Sequence, residues 1–315
     1  MEPIRTYSHR KIRYGLDRGN RSANIILKNL GLKEGYSHEE LQVKIRQDLN
    51  GKFDVVYSDT LTDGRKAIPA LVKLKTSDRK DGGIIRLNRQ FPPNILREAL
   101  FHEYAHIKDE KLPIFTTDRH ELNSKVFWDE FHSELIEFLA DMVAYALMMP
   151  PAQIKSNLWT NAYNVDEILR IYNNIEKSSV LSWIALNSHF PCHFVSIVYK
   201  KDEHGNKIQR SVYENSFYDN EIDPSLFDIE SVLANTESAA SVALRTSDIA
   251  NRASTINTTE YHCYAYYESN LPQVVVNNIF PKFEPGIYDR LLFIGWRKSN
   301  YDLVQNALGQ KVSGV

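Results

Sequence analysis

The chain has 315 residues, 43% of them hydrophobic and 25% charged, proportions that exclude a largely disordered or fibrous protein. Lys and Arg total 38 against 40 acidic residues, so bulk charge does not support non-specific phosphate contacts, and direct nucleic-acid binding is not expected. Two cysteines, Cys192 and Cys263, are too few for a disulfide framework. The basic N-terminus lacks an apolar core of the signal-peptide kind, and no apolar run of about 18 residues occurs, so the expected location is the cytoplasm, with no membrane partner.

Residues 1–21 read as a basic, solvated arm. Ser22 to Leu30 has helical spacing and stops at Gly31; a second helix is predicted from Ser37, with Glu40 completing a capping box. FDVVYSD, KAIPALVKLK and GGIIRLN then read as strands. Asn94, after Pro92-Pro93, is placed to cap a helix running through ILREALFHEYAHIKDE. A longer helix, DEFHSELIEFLADMVAYALMM, ends at Pro150-Pro151, and VDEILRIYNNIEKSSVLSWIALN is a further helical stretch. From Pro191 the texture changes. HFVSIVYKKDEHGNKIQRSVYEN reads as a hairpin around His204-Gly205-Asn206, YHCYAYYES, QVVVNNIF and LLFIGW as strands, and SNYDLVQNAL as a closing helix. The fold class expected is α+β. Residues 22–155 form a first domain of helices with a small mixed sheet, 156–190 a helical segment, and 191–315 a C-terminal mixed α/β domain.

The chemistry concentrates in the first domain. His102 and His106 lie one turn apart on a helical face, so both imidazoles can reach one metal ion, while Glu103 falls near the open position and can take a proton from metal-bound water. A third ligand is needed. Glu137 on the following helix supplies it, and Asp141, one turn further on, can accept the far N–H of a ligating histidine. Glu134 competes for the ligand role but lacks a carboxylate four residues downstream. The run around Glu137 and Asp141 is apolar, where a carboxylate needs a partner if buried. The working metal expected is zinc, with manganese as the alternative. His132 and Tyr145 are candidates to steady an oxyanion. His189, Cys192 and His193 have ligand-type side chains, but Pro191 interrupts them and no second cluster completes a site; a helix-to-strand corner is the expectation there.

The stretches IIRLNRQFPPNILREALFHEYAHI and ELIEFLADMVAYALMMP resemble the ImmA/IrrE metallopeptidases. The first is similar to that family's strand, short loop and HExxH helix, the second to its E-x-x-A-(N/D) helix ending in Met-Met-Pro. The resemblance covers about residues 22–190, and Tyr104-Ala105 departs from a more usual pair containing Gly. It implies a zincin-like metallopeptidase domain with His102, His106 and Glu137 as ligands and Glu103 as general base. It further implies a zinc endopeptidase that cuts a cytoplasmic protein substrate, a helix-turn-helix repressor in a stress, phage or mobile-element response. Residues 156–190 would correspond to a helix-turn-helix-like segment and 191–315 to a sensory or substrate-binding domain. An extended substrate could pair with residues 84–88 if that strand is a sheet edge. The rival expectation is a regulator that binds a repressor or DNA without proteolysis, its zinc site structural or vestigial.

Overall fold

A computed structural model describes residues 9–33, 35–63, 66–76, 78–112, 130–190, 192–205, 207–217, 253–257, 261–279 and 286–312. The architecture is α+β, and the chain divides into two compact units, Arg10–Gln153 and one built on Ile154–Val315. No helix among the described residues is long and apolar enough to cross a membrane.

The first unit opens with helix α1 (His9–Asn29), so much of the expected arm is helical instead; residues 1–8 lie outside the described residues. Among the described side chains of α1, Gly15, Gly19, Ala23 and Ile26 are the buried positions, a stripe at helical spacing that includes two glycines. A Cβ on Gly19 would stand 2.7 Å from the Cβ of Met142, and one on Gly15 would strike the ring of Phe138. The glycines therefore let α1 press closely on the later helix that carries those residues. Helix α2 (His38–Leu49) is capped as expected, the Ser37 hydroxyl accepting from the Glu40 amide, and buries Leu41, Ile45 and Leu49.

A three-stranded sheet follows, built from β1 (Phe53–Ser58), β4 (Ala70–Leu74) and β5 (Gly83–Asn88). The predicted strand over 66–75 is split into β4 and a short ribbon, β2 (Thr62–Asp63) with β3 (Lys66–Ala67); Pro69, which cannot donate to a ladder, stands at the break. The strand order is β1-β5-β4, with β1 parallel and β4 antiparallel to β5. Residues 84–88 thus form the central strand, so the condition on which substrate pairing there depended is not met. Buried Asn88 donates its amide to Leu61 O and Ile68 O, pinning the crossover between β1 and β4.

Helix α3 (Pro93–Lys108) starts with Pro93 at its head and no side-chain cap, so Asn94 does not cap it; the fixed φ of proline suits a first helical position. It packs on β4, β5 and α4 (Glu130–Met148), which explains why Glu103, Tyr104, Ala105, His106 and Ile107 are buried in succession.

In the second unit, α5 (Pro151–Thr160), α6 (Val165–Ile171) and α7 (Lys177–Asn187) precede an antiparallel sheet. Its order is β7-β6-β10-β9-β8, formed by β6 (Cys192–Lys201), β7 (Lys207–Phe217), β8 (Ala253–Asn257), β9 (Tyr261–Glu268) and β10 (Ile287–Arg297). The expected hairpin is β6–β7, although Asn206 at its tip lies outside the described residues. Val195, Ile197, Tyr199, Cys263, Ala265, Tyr267, Leu291 and Phe293 make one apolar cluster on this sheet. QVVVNNIF is not a strand: Gln273–Ile279 is helix α8, and α9 (Lys298–Val312) closes the chain. Pro272 accepts from the amides of Val275 and Val276, so a proline-led turn overrides the β-branched run.

Buried charges in this unit pair with one another. Arg290 contacts both Glu176 and Glu268, and Asp289 meets Tyr267 and Lys201. Cys192 and Cys263 are buried and form no disulfide.

Candidate metal centre

Two helices carry the site. On α3, His102 and His106 bring their Nε2 atoms to 3.1 Å of each other. On α4, Glu137 places Oε2 3.0 Å from His102 Nε2 and Oε1 3.8 Å from His106 Nε2. These three side chains form a group whose ligand atoms lie within 4.8 Å of one another and which could hold a metal ion. Donors bound at about 2.0–2.1 Å around a tetrahedral ion stand roughly 3.3 Å apart, so the spacing fits. The side chain of Glu137 is 48% exposed, so the cluster opens to solvent on the α4 side and is reachable.

Asp141 is where the spacing argument puts it, its Oδ1 2.7 Å from His102 Nδ1. That contact holds the Nδ1 proton, so Nε2 is the nitrogen turned to the cluster. Burial opposes charge on His102, but Asp141, with Glu137 and Glu103 behind it, outweighs burial and raises the imidazole well above its usual value. Glu137 is held below the carboxylate range: burial pushes it up, and the hydrogen bonds from His102 and His106 overcome that.

Glu103, between the two histidines in sequence, reaches the sheet. Its Oε2 accepts from the Val72 amide on β4 at 3.0 Å. Burial raises its pKa, against the pull of His102 and His106. Lys75 and Pro69 bond toward β5, so by alternation Ala70, Val72 and Leu74 turn their backbone groups to the outer edge of β4. Glu103 therefore sits on a free strand edge, a placement that no local sequence signal announces because it depends on strand order.

Further residues outside the motif hold the two helices. Arg79 donates to the carbonyls of His106, Asp109 and Leu112, closing the C-terminal end of α3. Asp109 accepts from Ser22 at 2.6 Å and from Arg18 at 3.3 Å on α1. Tyr104, the departure within the motif, is fully buried and donates to Asp48 on α2, which Lys108 also contacts. The spacing of Gly15 and Gly19 was the one readable sign that α1 would pack against this pair of helices.

The remaining candidates lie apart or are undescribed. Tyr145 is on α4 two turns beyond Glu137; the side chains of His132, Glu134 and His193 lie outside the described residues. His189 bonds Tyr163 through Nδ1 at 3.2 Å and sets its ring edge-on to Trp159, and Cys192 begins β6, the corner that was expected.

No protein-family model matches the chain, and no curated protein matches it in sequence. Among solved structures it is similar to a Mycobacterium tuberculosis transcriptional regulator, with a TM-score of 0.51 at 12% identity, over 92% of this chain and 80% of that one. That likeness is one of fold, and it accords with the α+β class.

Proposed function

We propose that the chain is a zinc endopeptidase with a zincin-like first unit of the ImmA/IrrE type. The observation that carries the reading is the joint placement of His102, His106 and Glu137 around one point, with Glu103 buried beside them on a strand edge. In this reading His102, His106 and Glu137 hold the ion and Asp141 fixes the ring of His102. Bound there, zinc supplies a Lewis acid and lowers the pKa of bound water. Glu103 takes a proton and later delivers it to the leaving amine; the Val72 amide orients its carboxylate, and burial makes it a stronger base than a solvated glutamate. An extended substrate would lie along the outer edge of β4 rather than on β5, since among the described residues no strand pairs with that edge. The substrate class proposed is a cytoplasmic helix-turn-helix repressor. Manganese is the alternative metal.

The second reading is a regulator that binds without cutting. The fold neighbour is named a transcriptional regulator, and a purely structural site would serve such a protein. Against it stands the buried Glu103 carboxylate, which a structural site does not need and which burial makes costly.

Metal per chain and cleavage of a peptide library, read by mass spectrometry, separate the two. Wild type should carry about one zinc and cut, while Glu103→Gln should keep the metal and cut roughly 10²–10⁴-fold more slowly. Equal cleavage by the two proteins would remove Glu103 as the base, and zinc without cleavage in either would favour the binding reading.

A further inference from the structure

The small sheet has two outer edges, and they are treated differently. That of β4 follows Pro69, has the Glu103 carboxylate on the Val72 amide, and is the edge proposed above to take substrate. That of β1 has fewer guards: the register against β5 is continuous from Phe53 to Ser58, with no bulge, proline or lysine, and Asp54 is its one charged residue. Among the described residues no strand pairs with it. Its side chains Val55, Val56 and Tyr57 are 38%, 39% and 53% exposed, high values for consecutive apolar residues in a strand.

The backbone directions at this edge follow from the parallel ladder. Gly83 donates to Lys52 O and Arg89 to Ser58 O, so the even-numbered residues of β1 bond to β5. Phe53, Val55 and Tyr57 accordingly turn both their N–H and C=O groups outward.

We propose that β1 pairs antiparallel with β1 of a second copy of this chain, joining two three-stranded sheets into one across a twofold axis. The sequence of the strand selects the occupant. A twofold axis perpendicular to the sheet keeps each residue on its own face, and centring it on Val56 sets Val56 opposite Val56 of the second copy. Val55 then meets Tyr57 as a hydrogen-bonded pair on each side of the axis, giving about four backbone hydrogen bonds. Both Val55–Tyr57 pairs are of the β-branched–aromatic kind favoured across strands, Asp54 falls opposite Ser58, and no like charges face each other. Shifting the axis to Val55 would set Asp54 against Val56, and is disfavoured. A patch this narrow belongs with the small interfaces below about 1,200 Å², so the dimer is a weak one that forms with rising concentration.

Sedimentation velocity of the full chain from roughly 1 to 300 μM tests this. Wild type should pass from monomer to dimer in that range. Val56→Lys sets two ammonium groups face to face on the solvent side and should weaken dimerisation by roughly tenfold or more; Val56→Glu should do the same. An equimolar mixture of the two variants should recover a dimer, which a misfolded variant could not do. Wild type that remains monomeric throughout overturns the proposal and leaves the edge to another protein's strand, and a dimer indifferent to Val56→Lys places self-association elsewhere and overturns it too.

Discussion

Each unit holds one prominent cluster of ionisable side chains, and the two are built differently. In the second, acid and base are interleaved: Arg290 lies between Glu176 and Glu268, and Lys201 and Tyr267 share Asp289. Arg290 lowers the pKa of Glu176 from its ordinary value although burial pushes the other way. In the first unit, two imidazoles and a carboxylate instead turn their lone pairs toward one point that is open to solvent. The first arrangement is electrostatically complete within the chain, whereas the second could hold a metal ion. Buried charge marks a functional site when its lone pairs converge, and not merely because it is buried.

The sharpest way to break that contrast is to remove one member of the closed network. Arg290→Met leaves Glu176 and Glu268 without their shared cation and should cost about 3–5 kcal/mol in urea unfolding. Metal content should stay that of wild type, since the cluster belongs to the other unit; joint loss of both would mean the two regions are coupled. On the open site, Asp141→Asn should lower zinc affinity by roughly 10- to 100-fold with little effect on folding, measured by competition with a chromogenic chelator.

Protons sharpen the same comparison. In the metal-free protein the raised pKa of His102 contributes stability that is fully present below its unfolded value of about 6.5 and is lost as pH rises through the folded value. Zinc must displace that proton, so zinc affinity should rise with pH, and titration calorimetry in two buffers at pH 7 should show protons released on binding. No proton release would mean His102 is already neutral in the metal-free protein. The smallest effect belongs to the scaffold. Gly19→Ala gains up to about 1 kcal/mol of helix propensity, yet its methyl would stand 2.7 Å from Met142. Overpacking should win, with a net loss of about 1–2 kcal/mol in thermal unfolding.

Much of the site was readable because its information is local. Two histidines four apart and two acids four apart each state a helical face, and the partners of a metal follow from residue type. What escaped depends on the order of distant segments. That β5 is central, that Glu103 meets the Val72 amide, and that α1 braces both ligand helices follow from pairings between residues far apart in sequence. The arm before Ser22 looks like a solvated tail because two of its buried positions, Gly15 and Gly19, carry no hydrophobic signal. QVVVNNIF misled through its valines, since a proline at the head of so short a segment decides more than β propensity does.

The position of α1 also has a consequence for the order in which the protein is made. Its partners Asp109, Phe138 and Met142 are encoded long after it, with 87 residues separating Ser22 from Asp109 alone. At ordinary elongation rates the helix waits on the order of ten seconds before the first of them is synthesised. A stripe of Gly15, Gly19, Ala23 and Ile26 suits that interval, because it offers little apolar surface for a nascent chain to misplace while its proper neighbours are still to come.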